Sequence, residues 1–503
     1  MKCGKRKTWE ILWYICIFTF MYIWFSQIHP LVVYDADDWT YISYTRNAVP
    51  TLNEWNPSRI FPEVFMPFCG GIAAYVVAPL IGDYVLSFTY VSAAVVSLFI
   101  SFYVYCFGSY IRQLLDLENY ECRCIELLFL ILHFVVFVIG YRASEYLFRC
   151  HNLTCYYYYL IPGLMNASIV MIMESGKGVF AEAGLAKKSL WVLIAYIAVF
   201  SNLVVSSIVV VYAGVAILKA YNQCAKSNER LSLIVREFIC KSIYHLYIVG
   251  LWCMSAVYEL FGLRAASAAQ LGNSYAFLPG LKQAMIHLYN YAYDWNPSFW
   301  ITSIVIVIVA VLLLIMSGLK NEIDKVFLRT QSMWVCTAIL VLVYTLLLSA
   351  KVNADVVTRP EYLYSAFFFG LLILMIGAGY ILKKAPRTII LLPLLLFIVA
   401  SYTQTKHLPI YKESNVVNMS PRICLEISRN LVEQVVQADK LAKDEVELNV
   451  VDYATDDNWP HAVYLGDRLA GTLYKHGVVS KHMKIVINQD RAMNDEFGVA
   501  YPD

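Results

Sequence analysis

The sequence predicts an α-helical polytopic membrane protein with a small C-terminal α/β domain outside the membrane. Three observations carry this. Of the 503 residues 59% are hydrophobic and 15% charged, with a mean hydropathy of +0.58, which is too apolar for an ordinary soluble chain. Apolar runs of about 20 residues, the length that crosses a bilayer, recur from residue 9 to residue 401. From residue 405 the composition turns charged, dividing the chain into a membrane domain, 1–404, and a soluble tail, 405–503. A net charge of +2 does not point to a nucleic-acid partner. None of the 13 cysteines has a metal-ligand spacing with histidine, so no zinc site is expected. Cys150 and Cys155 fall together in an outer loop, where they either pair or remain thiols.

The first run, 9–28, follows Lys2, Lys5, Arg6 and Lys7. It is too long and aromatic for a signal peptide and reads as a retained first span with the N-terminus inside. The next apolar run, 65–107, is broken by Pro79, Gly82 and Asp83. It is either two spans or an interfacial helix followed by one crossing at 84–107. A single crossing puts Arg112 and Arg123 in the cytoplasm and brings the later loops into register. Further spans are expected at 125–140, 156–173, 190–200, 203–218, 238–260, 299–316, 333–348, 362–382 and 389–401, for about eleven crossings. The stretch 190–218 is split at Ser201-Asn202, because one long helix would export Lys219, Lys226, Arg230, Arg236 and Lys241. In the tail, 423–443 and 460–476 read as helices, 446–453 and 483–488 as strands.

The first outer loop, 31–64, holds the densest ionisable cluster. Asp35, Asp37 and Asp38 lie too close together to ionise independently, which suits a general base or a hard-cation ligand. The plainer alternative is a capping loop with Asp38 as N-cap of a helix over 40–48. Asn56-Pro57 is a helix opening. Arg59 and Glu63, four apart, form an ordinary pair or point toward the aspartates. In the second outer loop Arg142, Glu145 and His151 are candidate acceptor contacts, and the run Tyr156 to Tyr159 reads as an aromatic belt at headgroup level. In a late outer loop Arg359, directly before a span, suits a phosphate at the lipid boundary, with Tyr362 or Tyr364 adding a phenol donor; pairing with Glu361 or Asp355 is the alternative.

Taken together, Asp37-Asp38-Trp39 opening a large first outer loop, an interfacial helical region, about eleven crossings, a late outer Arg359-Pro360-Glu361-Tyr362 and a soluble outer tail resemble the GT-C superfamily of polytopic membrane glycosyltransferases. The resemblance implies a GT-C-like fold and an inverting enzyme of the cell envelope, at the outer face of a bacterial plasma membrane. Such an enzyme moves a sugar from a polyprenyl-phosphate donor to an extracytoplasmic glycan, lipid or polymer. It implies Asp37 or Asp38 as base, and Arg359, with Arg59 and Tyr362, at the donor phosphate. Glu63, Arg142, Glu145 and His151 would support the acceptor, and Asp35 would ligate Mg²⁺ or Mn²⁺ if a metal is needed. Two rivals stand beside it. A lipid-linked glycan polymerase or ligase would carry its largest outer loop late, and here the acidic loop comes first. A lipid or polysaccharide transporter or flippase without chemistry would need ionisable groups in mid-span, where this sequence has almost none.

Overall fold

The computed structural model describes residues 2–33, 35–55, 59–135, 148, 150, 153–176, 184–225, 231–263, 266, 277–293, 297–385, 419–452 and 465–499. It is a helical membrane protein. Among the described residues nine helices are long and apolar enough to span a bilayer. The expected span 389–401 lies outside the described residues, as does the end of 125–140.

In chain order the helices are α1 (Lys2–Ile23, continued by a π-helical turn at Trp24–Ile28), α2 (Ala36–Tyr41), α3 (Phe61–Ile81) and α4 (Tyr84–Leu115). Next come α5 (Asn119–Val135), α6 (Leu153–Ser175), α7 (Leu185–Val199), α8 (Ser207–Ala225) and α9 (Leu231–Leu260). Then follow α10 (Phe277–Tyr293), α11 (Pro297–Ser317), α12 (Glu322–Val352) and α13 (Pro360–Lys384). Helices α6 and α13 are the most enclosed and form the centre of the bundle. Prolines shape both α3 and α6. Pro62, Pro67, Pro79 and Pro162 lack the amide that continues an α-helical ladder, and π-helical turns sit beside them at Phe61–Phe65, Ala73–Val77 and Tyr156–Leu160.

The break at Ser201-Asn202 is present. Buried Asn202 donates Nδ2 to the Tyr158 carbonyl at 2.9 Å and accepts from the Val204 amide at 2.9 Å, so the side chain satisfies backbone that the interrupted helix leaves unpaired. The long apolar run 65–107 is divided by Gly82, left-handed at φ 72°, and by Asp83, which caps α4 through the Leu86 amide at 2.8 Å. Helix α3, 21 residues and about 30 Å long, has the length and hydropathy of a span. Its contacts nevertheless keep both ends on one face. The Glu63 carbonyl takes the Arg46 amide at 2.9 Å, while Tyr75 donates to the Lys475 carbonyl at 2.7 Å and Asp83, just beyond, pairs with Arg429 at 2.6 Å. Those last partners belong to the C-terminal segment, which also holds Val33. This is the arrangement of a helix lying along the face on which the C-terminal segment docks.

That segment comprises α14 (Pro421–Lys440), β1 (Glu445–Val450), α15 (Leu465–Lys475), β2 (Lys484–Gln489) and α16 (Arg491–Phe497). The strands pair in parallel, Glu445 opposite Lys484 through Val450 opposite Gln489, the relation expected for strands joined by a helix. Ser428 of α14 donates to the Val33 carbonyl at 2.9 Å.

One expectation is corrected. Tyr156, Tyr157 and Tyr158 are not a headgroup belt but buried, 1%, 1% and 6% exposed. They pack against Phe25, Phe65 and Tyr41, and Tyr156 donates to the Cys150 carbonyl at 2.6 Å. Helix α10 packs Gly280 and Ala284 inward, with Ala284 against Ala354 and Val357 just ahead of Arg359.

Candidate functional site

The aspartate cluster folds as the start of α2. Asp35, not Asp38, is the N-cap; it accepts the Asp37 amide at 3.3 Å, while Asp38 reaches back to the Asp35 amide at 3.2 Å, closing a capping box. Burial, then the neighbouring Asp37 charge, push the Asp35 carboxyl up to about 6. Asp38 is fully buried, and its Oδ1 accepts both the amide and the hydroxyl of Thr154 at 2.7 and 2.5 Å. The carboxylate therefore fastens the first turn of α6 to the first outer loop, an arrangement that orients neighbours rather than exposing an oxygen to substrate. Replacing it by alanine leaves a buried amide and hydroxyl without their acceptor, so Asp38→Ala is expected to cost about 2–4 kcal/mol. Thermal unfolding in detergent reads this directly, and an unchanged midpoint would refute the fastening role.

Asp37 differs from both neighbours. Its side chain is half exposed and its Oδ1 is paired with Nη1 of Arg468 on α15. The expected Arg59–Glu63 pair does not form. Arg59 is buried and turns to Glu259 at the end of α9, at 2.9 Å. Burial alone would disfavour its charge, but Glu259 and the neighbouring tyrosines outweigh that and hold its pKa above the usual arginine value. Glu63 meets Arg46 at 3.3 Å and the Tyr158 hydroxyl at 3.2 Å, and Arg46 also pairs with Glu54 at 2.9 Å. A line of alternating charge, Glu54–Arg46–Glu63, thus runs from the loop to the buried tyrosines.

Arg359 occupies the N-cap position of α13. Its Nε lies 2.5 Å from Oε1 of Glu361, and close to half of its side chain stays exposed. The pairing with Glu361 is one of the two expected; Asp355, the other, instead meets His287 of α10 at 3.1 Å. Tyr362 is half-buried in the first turn of α13. Glu361 is buried and lines a small cavity of about 10 Å³ with Cys150, Cys155, Tyr159 and Tyr364, space for one water molecule. Both cysteines are thiols here. Cys155 follows Thr154, the partner of Asp38, so the aspartate loop and Arg359 meet around one turn of α6. Arg142, Glu145 and His151 lie outside the described residues.

With Asp35 and Asp38 both engaged in capping, Asp37 is the carboxylate of the trio turned toward the surface, and among the described residues no group of three or more His, Cys, Asp or Glu is arranged to hold a metal ion. Thr154, Glu259 and Arg468 are partners that sequence reasoning missed. A signal existed for the last. Arg468, Thr472 and Lys475 recur at helical spacing on one side of α15.

Helix α15 seats on the loop through several contacts. Thr472 donates to the Trp39 carbonyl and shares a hydrogen bond of 2.7 Å with Ser43, and Lys475 lies 3.5 Å over the Tyr44 ring. His476, buried, bonds the Tyr84 hydroxyl at 2.6 Å and stacks on Phe88, with Tyr75 edge-on. Burial, then Lys475, push His476 down to about 4. Its folded pKa is thus below the unfolded value of about 6.5, so this contribution to docking is complete above about pH 6.5 and is lost as pH falls through about 4. Hydrogen exchange over 465–476 should rise across that window and His476→Phe should flatten the dependence; an identical dependence in the variant would exclude His476 as its source.

No family model matches the chain, and neither a curated protein nor a solved structure is similar to it.

Proposed function

We propose that the chain is an inverting membrane glycosyltransferase that moves a sugar from a polyprenyl-phosphate donor to a hydroxyl of an extracytoplasmic glycan or lipid, at the outer face of a bacterial plasma membrane. One observation carries the reading: a half-exposed carboxylate, Asp37, and a half-exposed guanidinium, Arg359, lie at the same end of the helical bundle, linked through Asp38–Thr154 and Glu361 around the first turn of α6. In the reaction, Asp37 accepts the proton of the acceptor hydroxyl as its oxygen bonds to the anomeric carbon. The bond from that carbon to the phosphate oxygen breaks, and the electron pair leaves with the polyprenyl phosphate. Arg359 stabilises the growing phosphate charge. Arg59, neutralised by Glu259, and Glu63, held by Arg46, take no part in the transfer itself. Asp35 and Asp38 serve as capping groups.

Purified protein in liposomes containing a labelled sugar on a short polyprenyl phosphate tests this. Transfer of label to an added acceptor, with inversion and release of polyprenyl phosphate, is expected. Movement of the lipid between leaflets without any transfer of sugar would overturn the proposal in favour of a transporter.

A further inference from the structure

The C-terminal segment has no assigned part in the chemistry, yet it supplies a partner of Asp37, the aspartate of the trio that faces the surface. Resting on the function proposed above, we infer that Arg468 is a positioning residue for Asp37, which makes α15 a working part of the transfer site rather than an appended module. The pairing joins residues 431 apart in sequence, Nη1 of Arg468 to Oδ1 of Asp37. The neighbouring contacts fix where Arg468 stands. One turn further along α15, fully buried Thr472 is bonded to the Trp39 carbonyl and to Ser43, and Lys475 donates to the Ser43 carbonyl at 3.2 Å. These fasten the helix to the backbone on the far side of α2. Arg468 is thereby aimed at the start of α2, where Asp37 stands.

The docking does not depend on this pair. Ser428 to Val33, Arg429 to Asp83, Tyr75 to the Lys475 carbonyl and His476 to Tyr84 hold the same two bodies together without it. A partly exposed ion pair adds little to stability. Its consequence is geometric: with Oδ1 held by the guanidinium, Oδ2 is presented in one orientation for an incoming hydroxyl proton. The same cation reaches Asp35 next door, where it offsets a small part of the rise that burial and the Asp37 charge impose.

The test uses the full-length protein in liposomes with the labelled polyprenyl-phosphate sugar. Arg468→Ala is expected to lower kcat by about 10- to 100-fold, with donor KM and the unfolding midpoint essentially unchanged. Arg468→Lys should retain part of the rate, and millimolar guanidinium should restore part of it to the alanine variant, which a merely structural role would not allow. As a docking control, Thr472→Val should lower the unfolding midpoint and show no rescue by guanidinium. Wild-type kcat in Arg468→Ala while the wild type transfers sugar would overturn the positioning role alone. A wild type that transfers no sugar would overturn the proposed function and this inference with it.

Discussion

Asp37→Ala is expected to lower sugar transfer by about 10²- to 10⁴-fold, the contribution of a positioned general base, and Arg359→Ala by about 10²- to 10³-fold through loss of charge stabilisation on the leaving phosphate. Both side chains are about half exposed; Asp37→Ala should leave the fold intact, whereas Arg359→Ala also takes a cation from buried Glu361 and should lower the unfolding midpoint. The two variants should differ in kind. Asp37→Ala should leave donor binding intact, whereas Arg359→Ala should weaken binding of a polyprenyl phosphate product as well as slow the reaction. Single-turnover rates and product inhibition in liposomes separate these effects. If both variants transfer sugar at the wild-type rate, the assignment of base and phosphate ligand is wrong.

The second large effect lies away from the site, among α1, α4 and α5. Glu126 of α5 is fully buried, and its carboxylate receives Nε1 of Trp13 at 2.7 Å, the Tyr14 hydroxyl at 2.9 Å and Nη1 of Arg123 at 2.6 and 2.8 Å. Arg123 in turn reaches Glu10, which also holds Arg112 of α4. Three helices are joined through one satisfied ionic network. Removing the carboxylate takes from Arg123 its closest counter-ion, leaving Glu10 at 3.3 Å, and leaves the Trp13 and Tyr14 donors without their acceptor, so Glu126→Ala is expected to destabilise by about 3–5 kcal/mol. Gly108 of α4 gives an independent route to the same network: a Cβ there would lie 1.6 Å from Oε1 of Glu126, so Gly108→Ala should also destabilise by forcing the carboxylate off its partners. Unfolding midpoints in detergent measure both. A Glu126→Ala protein with the wild-type midpoint would show that the network does not bind the helices together.

Much of the scaffold was legible. Hydropathy summed over a window needs no knowledge of partners, so most spans followed from the chain alone, and the sidedness of Lys219 to Lys241 pointed to the interruption at Ser201-Asn202. Two helices and both strands of the tail followed from local periodicity, the expected 423–443 and 446–453 corresponding to α14 and β1 within a few residues, while α16 was not foreseen. The pairing of Arg359 with Glu361 was one of two alternatives that the sequence left open, and the structure selects it over Asp355.

The candidate site was legible only as an inventory of residues. A buried tyrosine run and an interfacial one share the same letters, and the choice depends on whether Phe25, Phe65 and Tyr41 stand opposite. The three aspartates are chemically identical in sequence, yet Asp35 caps a helix, Asp38 fastens Thr154 and Asp37 meets Arg468.

By itself, then, the sequence determined the membrane class, the placement of most helices and the end of the molecule where ionisable groups gather, because these follow from the summed transfer cost of neighbouring residues. Only the tertiary structure decided which charges neutralise one another and which oxygen faces the surface. Thr154 lies 116 residues from Asp38 and Arg468 lies 431 from Asp37. The worth of each pair depends on distance and burial in three dimensions, and no local pattern in the chain encodes either.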